Sequence, residues 1–389
     1  MTFNRLNNIT GWAICIIACT VYIMTMEATG SFWDCGEFIS STYKMQVPHP
    51  PGAPLFVMMG RLFIVVFKPL FGSGPESAAR AVNLMSALAS GFTILFLFWS
   101  ITHFARKLVV KNVAVPTKDQ LFSIMAAGVV GALAYTFSDS FWFSAVEGEV
   151  YGMSSFFTAI VFWAILKWEH NADNPGADKW IVLIFFLMGL SIGVHLLNLL
   201  TIPAIVMVYY FKRYKVTPMG TVWAFLISCG ITGFVQKVVI QYTVAGAGKF
   251  DVWFVNSFGL PFFSGFIFYF LVIAALIVWG LRITRAEKIS FGPLIVWLSL
   301  FIIILLFPFV TSGLTVFALL IILGLLALLM YNTYARSGRV LNLAIWSITF
   351  MLLGYSSYVT TMIRSNANPA VDMYNVDNPN SLVGYLGRD

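Results

Sequence analysis

Nine stretches of the chain run for 17 residues or more without an Asp, Glu, Lys or Arg, and the longest has 47. A helix crosses the hydrocarbon core of a bilayer in about 20 residues, so these windows decide the fold class. They are Leu6–Met26, Ala81–Ala105, Leu121–Ser138, Val150–Leu166, Trp180–Phe211, Val216–Val235, Val252–Leu281, Ile289–Ala335 and Leu341–Ile363. Soluble domains carry roughly 25% charged residues; this chain carries 10%, with 59% hydrophobic residues and a mean hydropathy of +0.86. No water-facing surface of this size could hide so much apolar side chain in one core. The expected fold class is an all-α integral membrane protein, a polytopic bundle of about 11 transmembrane helices, because two of the windows are each read as two spans, one from its length and one from the parity of the basic loops.

One of those two, Ile289–Ala335, is interrupted near Pro308, Thr311 and Gly313, which reads as a turn between spans. The other, Trp180–Phe211, has 32 residues, about 48 Å of helix, which is too short for two full crossings of a core about 30 Å thick. Its tip, around His195 to Asn198 and before Pro203, should therefore stop short of the outer surface and line a recessed cavity. The apolar run Ile9–Met26 is too long for a signal peptide and lacks a small-x-small site before Glu27, so an uncleaved first span is expected. The four cysteines have no metal-type spacing and imply no disulfide framework.

Lys and Arg concentrate in cytoplasmic loops of membrane proteins. Here Arg106, Lys107, Lys111 and Lys118, the Lys212–Lys215 turn, Arg282–Lys288 and Arg336–Arg339 fall on one side by parity. The assignment closes with the N-terminus cytoplasmic, 15 Lys/Arg and 5 acids inside, and 8 Lys/Arg and 11 acids outside. The net charge of +7 is thus loop charge, and without a dense basic run interleaved with aromatics no nucleic-acid partner is expected. Residues 1–363 form the membrane domain, with a first extracytoplasmic loop at 27–80; residues 364–389 read as a polar tail or cap.

Gly246, Gly248 and Lys249 imitate a phosphate loop, but the Walker pattern fails at Thr243 and Phe250. The outer side holds the polar chemistry. In the first outer loop, Asp34 and Glu37 are three apart and share one face if Phe32–Thr42 is helical. Such a pair serves as a general base with a helper, or simply as an exposed acidic helix end. The Pro48-His49-Pro50-Pro51-Gly52 run imposes a stiff turn that delivers one His to a fixed place, for chemistry or for structure. Arg61 interrupts the apolar helix Pro54–Phe71, which suits the membrane interface or an inward-turned guanidinium. Glu147 and Glu149 sit at the mouth of a span, where an ionisable group needs water or a partner. Arg364 follows the last span on the outer side, as a snorkelling helix end or a phosphate ligand.

The strings WDCGEFISSTYKMQVPHPPGAPLFVMMGRLF, SAVEGEVYGMSSFF, GLSIGVHLLNLL and IRSNANPAVDMYNVDNPNSLVGYLGRD resemble a bacterial membrane family catalogued as a domain of unknown function. That family is similar to the animal protein O-mannosyltransferase of plexins and certain receptor kinases, and through it to the GT-C glycosyltransferases. The resemblance runs from Glu27 to the end of the chain and is most specific at the D-x-x-E and H-P-P-G strings. It implies a GT-C-like bundle with a helical first extracytoplasmic loop, an essential acid at Asp34 supported by Glu37, a polyprenyl-phosphate sugar donor (mannose) and a Ser/Thr hydroxyl of an exported protein as acceptor. It also implies a bacterial inner membrane with the active site facing the periplasm. His49, Arg61, Arg80 and Arg364 are its candidate phosphate ligands, and Glu147, Glu149, Tyr151, His195, Asn198 and Asn366 stand in the matching strings as substrate-binding candidates. No metal site is assigned, although the carboxylates offer hard oxygens that would suit Mg or Mn. Cys35 stands where the family more often has a small residue. Relatives commonly continue into a large extracytoplasmic portion, so acceptor recognition is expected either to be missing here or to be supplied by another polypeptide, an extracytoplasmic partner domain. The competing readings are a lipid-linked substrate transporter or flippase and a non-catalytic scaffold subunit; both should tolerate Asp34→Asn.

Overall fold

The computed structural model describes residues 2–110, 115–285, 289–306 and 338–388. The chain is helical: α1 (Phe3–Thr25), α2 (Cys35–Lys44), α3 (Pro54–Phe71), α4 (Pro75–Val109), α5 (Lys118–Thr136), α6 (Asp139–Ala145), α7 (Val150–Asn171), α8 (Lys179–Ile192) and α9 (Ile202–Arg213) come first. They are followed by α10 (Pro218–Phe258), α11 (Ser264–Arg285), α12 (Phe291–Leu306), α13 (Gly338–Tyr355), α14 (Val359–Ser365) and α15 (Pro379–Gly387). Among the described residues nine helices are long and apolar enough to cross a membrane, and α8 and α12 are shorter apolar helices. The polytopic all-α architecture expected from the charge-free windows is therefore the one observed.

Local chemistry explains the starts and stops. The Thr117 hydroxyl accepts from the Gln120 backbone N–H while the Gln120 side chain accepts from that of Thr117, a reciprocal cap that opens α5. Proline in the first turn of α3, α4, α9, α10 and α15 costs no hydrogen bond there. Lys or Arg closes α4, α9 and α11, complementing the negative ends of their dipoles.

Three stretches bear on the reading of the spans, the first as expected and the other two not. Trp180–Phe211 is a hairpin in which α8 ends at Ile192 and a 3₁₀ turn, Leu196–Thr201, leads into α9, so the break falls at the expected tip. The Val252–Leu281 span is not a single helix. Residues 252–258 complete α10, and the chain turns at Gly259, whose φ of +63° suits glycine, before α11 begins. The charges expected to end the previous span are absorbed within α10. Lys237 bonds Gln241 at 3.0 Å, and buried Asp251 accepts from the Phe263, Gly265 and Phe266 backbone N–H groups, capping α11 from outside it. Residues 235–242 of α10 are π-helical, a form that widens a helix by one residue per turn. The third case is α3, which sequence placed in the outer loop and which is long and apolar enough to be a span. It doubles back on the start of α4, where Ser77 donates to the Phe71 carbonyl. The turn expected near Pro308, Thr311 and Gly313 lies outside the described residues, as do Lys111 and Arg336.

Segments that parity set on opposite sides gather at opposite ends of the bundle. At one end Lys107 pairs with Glu169, Lys212 with Asp173 and Arg339 with Asp178, tying the α7–α8 connection to α4, α9 and α13. The other end holds the first loop, the 146–149 segment, the α8–α9 tip and the tail. Between them α8 and α13 cross so closely that a Cβ at Gly189 would strike the Met351 backbone, and one at Gly354 would strike the backbone of Phe186, Gly189 and Leu190. Lipid offers no hydrophobic drive to join helices, so small residues that let backbones touch hold such a crossing together. Gly354→Leu is expected to separate α8 from α13 and cost about 3 kcal/mol or more, read as a lowered unfolding midpoint in detergent; an unchanged midpoint would remove this crossing from the stability of the bundle.

Candidate active site

Helix α2 begins one residue after Asp34. Trp33, just before it, has φ of +57°, an uncommon backbone state for a bulky residue, and its ring is solvent-exposed. That bend turns the Asp34 carboxylate away from capping its own helix: it makes no cap hydrogen bond. Glu37, on the first turn, faces the His49 turn instead. Its Oε1 accepts the His49 backbone N–H at 2.6 Å and its Oε2 accepts from the ring Nδ1 at 3.0 Å. One carboxylate thus fixes both the backbone and the ring of His49, and leaves Nε2 pointing to Asp34 Oδ2 at 3.9 Å. Asp34 is half exposed, so this Glu37–His49–Asp34 row ends in solvent. The Phe38 ring packs beside the imidazole, 5.8 Å between centroids.

The turn that carries His49 is braced from the far end of the chain. Tyr385 of α15 donates to the Pro48 carbonyl at 2.5 Å, and Tyr358 reaches the Gly52 carbonyl at 3.4 Å. Val47 pairs with the tail as an isolated parallel bridge, with its N–H on Val371 O at 3.0 Å and its carbonyl accepting from Met373 at 3.2 Å. Gly52 has φ of +70° and lies so close to the Tyr385 ring that a side chain there would collide with it. These braces come from residues sequence reasoning did not single out; a lone Tyr in a polar tail carries no spacing signal.

Glu147 and Glu149 come in from the start of α7. Both are buried, at 2% and 4% exposure. Glu149 Oε2 accepts its neighbour Val150's N–H at 2.6 Å, capping α7. Burial pushes the Glu149 carboxyl up to about 7; its own bond to Val150 and the His49 charge oppose that rise, while Asp34 and Glu147 reinforce it. Burial also raises Glu147, against a hydrogen bond from Ser31, and its Oε2 has no partner among the described residues. Asn83 holds this wall together, donating to the Glu27 and Thr29 carbonyls at 2.7 and 3.0 Å, and Glu27 N–H bonds Val146 O at 2.9 Å. A buried Asn within an apolar span was the available signal for it, since polar groups in spans are costly unless used.

The remaining candidates divide. His195, at the α8–α9 tip, lies against the Tyr151 ring, 5.4 Å between centroids, and its Nδ1 accepts from Leu197 N–H at 3.1 Å. Burial, then the Arg388 charge, lowers its pKa. Asn198 is buried and bonds Ser191 at 3.0 Å, bracing that tip. Arg61 and Arg364 lie together at the opposite end of α2 from Asp34. Arg61 donates to the Tyr43 carbonyl at 2.5 Å, and Arg364 to Met45 at 2.7 Å and Lys44 at 3.2 Å. Their charges complement the helix C-terminus, about 10 Å along the axis from Glu37 and about 15 Å from Asp34. Asn366 bonds the Met362 and Asp377 carbonyls inside the tail. Arg80 is exposed, one turn before Asn83 on α4.

Asp34, Glu37 and His49 bring ligand atoms within 4.8 Å of one another. Both Glu37 oxygens and His49 Nδ1 are already used on each other. What is left free is one carboxylate and one imidazole nitrogen, a poor match to the oxygen octahedron that Mg demands.

Fold and site together define a polytopic helical membrane protein with an acid–histidine row at one mouth of its bundle. Residues 34–218 match a family described as the protein O-mannosyl-transferase TMEM260 N-terminal domain. The chain is 26% identical over 246 residues to the protein O-mannosyl-transferase tmem260 of Dictyostelium discoideum, covering 62% of this chain and 26% of that protein. It is 25% identical over 172 residues to the protein O-mannosyl-transferase TMEM260 of Mus musculus, covering 44% of this chain and 21% of that one. The matches thus span about a quarter of the length of these curated relatives. No solved structure matches the chain. The similarity expected from the D-x-x-E and H-P-P-G strings is the one found, and the matched segment begins at Asp34 and includes every candidate up to Asn198.

The Glu149 carboxyl makes a testable statement about pH. Folding favours its protonated form, so between about pH 4.5 and 7 the folded protein keeps a proton that the unfolded chain has released. Stability falls as pH rises through that window and levels off above it. Glu149→Gln keeps an oxygen for the Val150 N–H and should flatten the fall of the unfolding midpoint between pH 5 and 7.5; parallel curves for the two proteins would show that Glu149 is not the responsible group.

Proposed function

We propose that this chain is the membrane portion of a glycosyltransferase that moves a sugar, mannose, from a polyprenyl-phosphate carrier to Ser/Thr hydroxyls of exported proteins. Two of its relatives are named protein O-mannosyl-transferases, and the observation that carries the reading here is the row in which Glu37 grips His49 from two sides and turns its free nitrogen to the half-exposed Asp34 carboxylate.

A sugar on a lipid phosphate already carries a good leaving group, so the protein has to supply a base for the hydroxyl and relief for the departing charge. Asp34 takes the hydroxyl proton as the acceptor oxygen attacks C1 of the sugar. The C1–O bond to phosphate breaks, its electron pair leaves with the lipid phosphate, and one displacement inverts the anomeric centre. In its protonated form His49, held at Nδ1 by Glu37, donates from Nε2 to the leaving oxygens, and Arg80 offers an exposed guanidinium one turn from Asn83 on α4. A phosphate donor would be repelled by four ionised acids. Burial keeps Glu149 largely protonated below about pH 7 and moves Glu147 the same way, which lowers that repulsion. The acid-rich mouth faces the periplasm of a bacterial inner membrane with the N-terminus cytoplasmic.

The test is transfer of radiolabelled mannose from polyprenyl-phosphate mannose to a Ser/Thr acceptor in membranes containing the chain. Asp34→Asn should lower transfer by about 10²-fold or more at matched expression, and the product should have inverted configuration. Equal transfer by both proteins would remove Asp34 as the base, and a retained configuration would exclude the single displacement. Chelation should leave the rate unchanged; loss restored by Mg or Mn would replace this scheme with a metal-assisted one.

A further inference from the structure

The opposite end of the same helices holds a second polar site. A cavity of about 500 Å³ opens among the start of α1 and the ends of α4 and α7, lined by Asn7, Trp99, His103, Arg106, Trp163 and Lys167. From Asn83 to Trp99–Arg106 is 16 to 23 residues along α4, about 24–35 Å, so this cavity and the acid–His row sit at opposite faces of a membrane-thick bundle.

Its electrostatics are the reverse of the first site's. No acidic side chain lines it among the described residues. The one carboxylate nearby, Glu169, is taken by Lys107 and by His103 at 3.3 Å. Arg106 and Lys167 have no ion-pair partner among the described residues and rest on aromatic faces, Arg106 4.6 Å from the Phe3 ring and Lys167 5.1 Å from Trp163. Among the described residues two buried polar atoms at its edge have no hydrogen-bond partner: the Trp99 indole N–H, a donor that lies beside Gly11 of α1, and Asn7 Oδ1, an acceptor. Buried groups of this kind are normally satisfied, so a missing partner points to a ligand that supplies both.

An aromatic wall leaves the cavity along the bundle. Trp99 and Trp163 lie 5.7 Å apart, Trp12 6.3 Å from Trp99, Phe92 6.2 Å from Trp12 and Phe156 6.4 Å from Phe92. Trp99 to Phe92 and Trp163 to Phe156 are each seven residues, a climb of about 10 Å toward the bilayer interior. Trp12 and Phe92 are exposed along it. A free soluble anion would use the cations and leave this wall bare; a lipid would use both.

We propose that this cavity binds the phosphate-bearing headgroup of an anionic lipid from the membrane face opposite the acid–His row, with its hydrocarbon chain along the Trp99–Phe92 wall. Arg106, Lys167 and the Trp99 N–H take the phosphate oxygens, and Asn7 Oδ1 accepts from a headgroup hydroxyl. Phosphatidylglycerol offers both groups, whereas phosphatidylcholine has no net charge and no hydroxyl.

The full chain in detergent, titrated with each lipid and read by native mass spectrometry, tests this. Phosphatidylglycerol should remain bound in preference to phosphatidylcholine, and Arg106→Gln/Lys167→Gln should weaken its retention by about tenfold or more. Trp99→Phe, which keeps an aromatic face in the wall but removes the indole N–H together with its five-membered ring, should weaken it in the same direction, and an unchanged unfolding midpoint of each variant guards against misfolding. Equal binding of the two lipids, or equal retention of phosphatidylglycerol by wild type and both variants, would overturn the proposal. Displacement of the lipid by inorganic phosphate would assign the cavity to a soluble phosphate ester and overturn the lipid occupant.

Discussion

One carboxylate decides the geometry of the acid–histidine mouth. Glu37 spends one oxygen on the backbone of His49 and the other on its ring, so a helix turn and a proline-rich loop are locked to each other by a single side chain. A bidentate grip of this sort fixes both the position and the orientation of the ring: with Nδ1–H committed to Glu37, the nitrogen turned to the mouth is Nε2. Nothing else in the loop could orient the ring, because the flanking prolines contribute no N–H. Behind the turn, Tyr385, Tyr358 and the Val47 bridge to the tail supply a rigid backing. The first loop and the last segment, more than 300 residues apart in sequence, thus make one structure.

That dependence explains what sequence could and could not reveal. Windows without charge mark bilayer spans because an unpaired ion in hydrocarbon is costly, and α1, α5, α7 and the α8–α9 hairpin lie where they were expected. The hairpin tip was legible from length alone, since 32 residues cannot cross twice. The α10–α11 region was not. There Lys237 and Asp251 remain inside one long helix because each finds a partner, Gln241 for the lysine and the α11 N-terminus for the aspartate. A charge in sequence says only that a partner or water is needed. It does not say which, and reading every charge as a loop fails where the partner is a neighbouring helix end.

The candidate site shows the same division. Asp34, Glu37 and His49 were legible as residue types at suggestive spacing, and the fold brings these three together. Arg61 and Arg364 were equally suggestive, yet both guanidiniums sit on carbonyls at the other end of α2. Spacing cannot distinguish an arginine that waits for phosphate from one that closes a helix, because both uses exploit the same donor fork. Only the contacts separate them, and the long-range braces such as Tyr385 leave no local trace at all.

Charge is distributed between the two ends by opposite strategies. At the acid–His end an excess of carboxylates is brought under control by burial, which moves Glu147 and Glu149 toward their neutral forms and leaves Asp34 in contact with water. At the other end the excess is positive, and it is divided between ion pairs on Glu169, Asp173 and Asp178 and two cations parked on aromatic rings. A ring face stabilises a cation without pairing it to an anion, so Arg106 and Lys167 lie open to an incoming anion. Helices α4 and α7 run the whole distance between these ends and contribute to both. The buried Asn83 and the Trp99 indole N–H, which has no hydrogen-bond partner among the described residues, are therefore steps on one rigid rod, the first spent on holding a loop and the second still unspent.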